Sequence, residues 1–104
     1  MYKRQLQHIA RIRIARIKLQ QNLYNEALQV LETESMGSFA AKYEEIKGDI
    51  FSKKGEFLKA QAAYLKALDL LLPGEFDYEY IQMKFKDIQS EDLNDAEVSK
   101  DGNA

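Results

Sequence analysis

Apolar residues between positions 3 and 89 recur at helical spacing. On a wheel of about 100° per residue, segment 3–21 carries two apolar faces. Leu6, Ala10, Ile14 and Ile17 form one, and Ile12, Ala15 and Leu19 the other. Arg4, Arg11 and Lys18 make a stripe between them, and Arg13 and Arg16 a second, with Ile9 among them. A helix apolar on two sides packs between two neighbours, so the segment is predicted helical despite the strand-like alternation of Ile12-Arg13-Ile14. A second helix is predicted over 24–33, with Ala27, Leu28 and Leu31 facing inward. Ser35-Met36-Gly37-Ser38 reads as a linker, with Ser38 as N-cap of a third helix over 39–54. A fourth runs over 57–71 and stops at Leu72-Pro73-Gly74. A fifth, over 75–89, presents Tyr78, Ile81, Met83, Phe85 and Ile88 and is predicted to cap the helices before it.

The third and fourth helices carry a spacing with a physical reason. Gly48, Phe51, Gly55, Ala60, Tyr64, Ala67 and Pro73 follow one another as in one tetratricopeptide-type hairpin. Two antiparallel helices approach closely only where side chains are absent or tiny, as at Gly48, Ala60 and Ala67. Phe51 and Tyr64 fill the space that remains, Gly55 turns the chain, and Pro73 ends the second helix. An earlier copy is in register. Ala15, Asn22, Ala27 and Leu31 precede Gly48, Gly55, Ala60 and Tyr64 by the same interval, one residue short of the usual repeat of about 34. Asn is the next-best residue for the left-handed turn that Gly supplies. Glu34 stands where the second copy has Ala67, so the first hairpin is expected to close differently. The predicted fold is all-α: about two tetratricopeptide-like antiparallel hairpins plus a C-terminal capping helix. Its repeat-packing residues are Ala15, Ala27, Leu31, Gly48, Phe51, Gly55, Ala60, Tyr64 and Ala67. Repeat hairpins of this kind hold other proteins rather than perform chemistry.

Composition narrows the function further. A chain of 104 residues is one domain or one piece of a longer protein, here divided into a helical domain over 1–89 and an acidic segment over 90–104 expected to be disordered. There is no cysteine, hence no disulfide and no thiolate site. No run reaches the roughly 18 apolar residues of a membrane helix, and charges interrupt any secretory-type apolar region near the start. The basic first helix beside the acidic end admits a nucleic-acid reading, but a net charge of −2 and the interleaving of isoleucine with the bases favour the edges of a packed helix.

Candidate chemistry is sparse. His8 has Arg4, Arg11 and Ile12 as its helical neighbours, so it lacks a second ligand or an acid–base partner. Glu44, Glu45 and Asp49 lie one turn apart and read as a solvated face rather than a cation loop. No phosphate-binding glycine loop or nucleophile elbow occurs. No cofactor, metal or catalytic residue is assigned, and the chain is read as a non-enzyme. Tyr78 and Tyr80 lie two apart on a helix, so one of them is a candidate exposed anchor for a protein partner.

With these residues laid out, a more specific resemblance emerges. The run Ile9 to Gln21, the segment Tyr24-Asn25-Glu26-Ala27-Leu28, the stretch Glu45 to Glu56, and Ile81-Gln82-Met83-Lys84 are similar to the YfgM-like family of bacterial envelope proteins over about residues 5–89. That resemblance implies an inner-membrane protein with an N-terminal anchor and a tetratricopeptide-like periplasmic domain. It also implies an ancillary role at the SecYEG translocon beside the periplasmic folding factor PpiD. The chain would be the C-terminal part of that domain, with the anchor upstream. The expected function is a protein-interaction module whose concave face receives a partner or a nascent envelope protein, with Leu6, His8, Arg11, Arg13 and Lys18 contributing to it. The alternative is a cytoplasmic tetratricopeptide adaptor gripping a chaperone or peptide, although no Lys/Arg/Asn clamp lies in register. Without upstream repeats, one apolar face of the first helix would be open, and a homodimer through it is a further expectation.

Overall fold

The computed structural model describes residues 2–33 and 37–88, and every regular element among them is helical. Helix α1 spans Tyr2–Gln20, α2 Tyr24–Val30, α3 Ala40–Lys54 and α4 Phe57–Asp69, with a single 3-10 turn at Gly37–Phe39 before α3. A fifth helix, α5, covers 76–88 of the described residues. The acidic segment 90–104, the residues Ser35 and Met36 and the position of Glu34 lie outside the described residues.

The two hairpin turns are the same structure built twice. After α1, Asn22 takes φ 63°, and after α3, Gly55 takes φ 84°. In the first turn the Leu23 N–H donates to the Lys18 carbonyl at 2.9 Å and the Asn22 N–H to Leu19 at 3.0 Å. In the second the Glu56 N–H donates to Phe51 at 2.9 Å and the Gly55 N–H to Ser52 at 3.1 Å. This paired closure by a left-handed residue satisfies the last carbonyls of each helix. The interval seen in the sequence is therefore an interval of backbone hydrogen bonds as well.

Two apolar clusters result, and α3 lies between them. Ala15, Ala27, Leu31, Tyr43, Ile46 and Ile50 are buried together, with Ile12, Leu19, Leu28 and Phe39 packed around them. Ala60, Tyr64, Ala67, Ile81 and Ile88 form the second, flanked by Phe51, Phe57, Leu71 and Phe85. On α5, Tyr78, Ile81, Phe85 and Ile88 recur at helical spacing on the inward side, which lays this helix over the second hairpin. Gly48 is in close contact with the Tyr64 ring: a Cβ there would sit 2.5 Å from the ring's Cε1. No real Cβ contact is that short, so the ring requires the glycine.

Several sequence expectations are corrected. Helix α2 ends at Val30 rather than near 33, where the Arg11 guanidinium donates to the Val30 carbonyl at 3.0 Å. Helix α4 ends at Asp69, and Leu70 only caps it. Ser38 lies inside the 3-10 turn, and α3 begins after Phe39 without a side-chain cap. Of the two apolar faces of α1, one is open, the state expected where no neighbour precedes it: Leu6, Ile14 and Ile17 are 64%, 44% and 52% exposed, while Ala15 on the opposite face is fully buried. No described element lies on the open side.

The largest correction concerns the acids of α3. Glu44 and Glu45 are buried rather than solvated, at 5% and 2% exposure. Lysines make this possible. Lys84 of α5 reaches Glu45 at 2.9 Å and Asp49 at 3.1 Å, Lys42 reaches Glu45 at 3.0 Å, and Lys47 lies 3.5 Å from Glu44. The Tyr64 hydroxyl donates to Asp49. Buried charges persist when they are paired in this way, and here the pairing ties α5 to α3 and α4.

Candidate functional site

A groove of about 420 Å³ opens between α1, the start of α3 and the α4–α5 connection. One wall comes from α1, where Ile9, Ile12, Arg13 and Arg16 share a face by helical spacing. Opposite are Ser38 and Phe39 from the 3-10 turn and Ala41 and Lys42 from the first turn of α3. Leu71 and Asp77, either side of the α4–α5 connection, close one end. The floor is apolar and the α1 rim is cationic. Among the described residues neither Arg13 nor Arg16 takes part in an ion pair, and both are exposed.

The floor is braced from beneath. His8 Nδ1 and the buried Tyr43 hydroxyl share a 2.7 Å hydrogen bond, and the His8 ring lies 5.0 Å from the Phe39 ring. Burial pushes the Tyr43 phenol up, with Arg11 opposing it weakly, so the hydroxyl stays neutral. These contacts hold Phe39 where the chain enters α3.

A second, smaller cleft surrounds the α3–α5 ionic cluster, lined by Asp49, Ser52, Tyr64, Lys84, Asp87 and Ile88. Burial would push the Glu45 carboxyl up, but hydrogen bonds and charge from Lys84 and Lys42 outweigh it and hold it below its ordinary value. Burial would likewise push Lys84 down, and Glu45 and Asp49 hold it above its ordinary value instead. Each group is locked in its charged form at neutral pH, the opposite of the near-neutral pKa a proton-transferring pair needs. Burial and Asp49 raise the Tyr64 phenol strongly. The cluster holds helices together.

The residues singled out from sequence fall in different places. Arg13 lines the groove. His8 and Arg11 are engaged inside the molecule, on Tyr43 and on the end of α2. Leu6 lies on the open face of α1, and Lys18 sits 3.7 Å from Glu26. Tyr78 is half-buried, whereas Tyr80 is 44% exposed with the Lys84 ammonium 4.5 Å from its ring centroid. Of the repeat-packing set, Ala15, Ala27, Leu31, Gly48, Ala60, Tyr64 and Ala67 are buried, Phe51 is half-buried, and Gly55 forms the turn. Sequence reasoning missed Ile9, Ile12 and Arg16 as groove residues, although the stripe joining Ile9 to Arg13 and Arg16 was visible on the wheel. Phe39, Lys42, Leu71 and Asp77 gave no such signal, because only folding brings them together.

Paired helices closed by turns of the same geometry, repeated at a fixed interval, define a helical-repeat protein. The chain belongs to the tetratricopeptide repeat-like domain family, whose model matches residues 2–90. A relative from Buchnera aphidicola subsp. Schizaphis graminum (strain Sg), described as an ancillary SecYEG translocon subunit, is 40% identical over 84 residues, covering 81% of this chain. The aligned part spans 43% of that relative, less than half its length. No solved structure matches the chain. No described helix is long and apolar enough to cross a membrane.

Proposed function

We propose that this chain is a non-enzymatic binding module, part of an ancillary translocon subunit, whose groove receives a protein partner on the periplasmic side of the inner membrane. The observation that carries the proposal is the groove itself: an apolar floor of Ile9, Ile12, Phe39 and Leu71 beneath the exposed cationic rim of Arg13 and Arg16. Apolar anchoring with a charged rim is how protein contacts combine affinity with orientation. The similarity to a translocon subunit supports envelope traffic as the setting. In this reading a periplasmic folding factor such as PpiD is the co-worker, and the membrane anchor lies upstream.

The test is site-specific photocrosslinking in the native cells, with the probe at Ile9 or Arg16 and, as a control, at the exposed Leu65 of α4. Translocon subunits or a periplasmic isomerase captured from the groove positions alone is the expected result. Capture of cytosolic chaperones alone would replace this reading with the adaptor, and equal capture from Leu65 would remove the groove from it.

A further inference from the structure

The groove is matched in chemistry by a part of this chain that the family model does not cover. That match ends at residue 90. Beyond it come Glu91, Asp92, Asp95, Glu97 and Asp101, with Leu93 and Val98 among them and Lys100 as the one base. The groove presents the complement: two exposed guanidiniums and an apolar floor, with Lys42 on the facing wall already paired to Glu45. Asp77 at its end is the one opposing charge. Other exposed bases, such as Lys53, are not in this groove, so its floor is not available to them.

Length permits the contact. Asp77 lines the groove, and the helix carries the chain about 16 Å away by residue 88 at roughly 1.5 Å per residue. Ten further residues reach back about 33 Å when extended. Tethering at this distance gives an effective concentration on the order of millimolar, so even a weak site fills.

We propose that residues 89–104 dock in cis into this groove, with Asp95 and Glu97, the first acids far enough along the chain to reach it, facing Arg13 and Arg16 and with Val98 on the apolar floor. The segment is then a built-in competitor that an incoming acidic, apolar-bearing partner must displace. Only that consequence rests on the partner-binding reading; the docking is a property of the isolated chain.

The absence of cysteine allows a single spin label beside the proposed contacts through Ser99→Cys. Amide NMR at about 0.05 M salt should show the signals of Ile9, Ile12, Arg13, Arg16 and Phe39 losing most of their intensity. Those signals should recover at about 1 M salt, where the screening length falls to roughly 3 Å. They should also recover when Arg13→Gln and Arg16→Gln are combined, or when Asp95→Asn and Glu97→Gln are combined. Broadening centred on Ser52 and Lys53, or none at all, would overturn the proposal. So would equal broadening in a sample where label and isotope sit on different molecules, since the segment of a second copy would then be the occupant. None of these readouts involves a partner, so they stand or fall separately from the crosslinking result.

Discussion

Where their helices close on one another, the first hairpin has Ala15 and Leu31 and the second has Gly48 and Tyr64 at the equivalent positions. The difference is coupled. A leucine leaves room for a methyl group on the facing helix and brings no polar atom. A tyrosine removes that room, so the facing residue must be glycine, and its hydroxyl must be satisfied once buried. Asp49 accepts from it, Lys84 neutralises Asp49 and Glu45, and Lys84 belongs to α5. The second hairpin thus depends on the helix that follows it for charge as well as for apolar cover, whereas the first needs only apolar cover from α3. One repeat position, filled two ways, changes what the following helix must supply: apolar cover from α3 for the first hairpin, and a compensating charge from α5 for the second.

The strongest way to break this comparison is at Gly48. Gly48→Leu is expected to lower stability by about 3 kcal/mol, the upper part of the range for overpacking, read as a fall in the urea midpoint. An unchanged midpoint would remove the close approach of Tyr64 from the account. The comparison sharpens in the double variant Gly48→Ala with Tyr64→Leu, which gives the second hairpin the first one's solution. It should be more stable than Gly48→Ala alone, with a coupling of about 1–2 kcal/mol. Strict additivity would show that the two positions are independent.

Next in size is Lys84→Met, which leaves Glu45 with Lys42 alone. The expected loss is about 2 kcal/mol, below the usual cost of breaking a buried pair because one lysine remains. Amide exchange should accelerate in α5 while α1 and α2 stay protected, and uniform acceleration would count against local tethering. At the turns, equivalent substitutions should have opposite signs. Gly55→Ala is expected to destabilise by about 1 kcal/mol, because alanine pays for a left-handed backbone, whereas Asn22→Gly relieves that strain and should raise the midpoint slightly. The same sign at both positions would contradict the shared geometry.

The smallest effect is expected from pH. Glu45 is held below its ordinary 4.5 in the fold, so its contribution is complete above that value and is lost as pH falls through the lowered one. The loss should flatten in Lys84→Met, which removes the main cause of the lowering. Lys84 is held above 10.5, so its contribution is complete below that and disappears as pH rises past it. An acid limb as steep in the variant as in the parent would show that other carboxylates dominate.

What the sequence disclosed and what it withheld follow one rule. The repeat was legible because its determinants are local: a left-handed residue ends a helix, a small residue admits a neighbour, and each acts within a turn or a hairpin. Asn22 opposite Gly55 could be read without knowing anything distant. The burial of Glu44 and Glu45 could not, because Lys84 lies far downstream on another helix and adjacent acids look alike whether solvated or bridged. The groove was half legible. Its α1 wall is a stripe on one helix, but Phe39, Lys42, Leu71 and Asp77 become neighbours only once three helices are stacked. His8 and Arg11 looked available because their partners, Tyr43 and the Val30 carbonyl, lie in other elements.

The contacts that build this fold join helices adjacent in the chain or one element apart, chiefly α1 with α2 and α3 with α4. A nascent chain leaving the ribosome could therefore close its first hairpin before the third helix has been synthesised, since low contact order demands no wait for distant partners. The second hairpin differs on this timetable. Tyr64 and Asp49 can meet as soon as α4 emerges, but Glu45 and Asp49 lack Lys84 until α5 follows. For that interval two carboxylates are held with only part of their compensation.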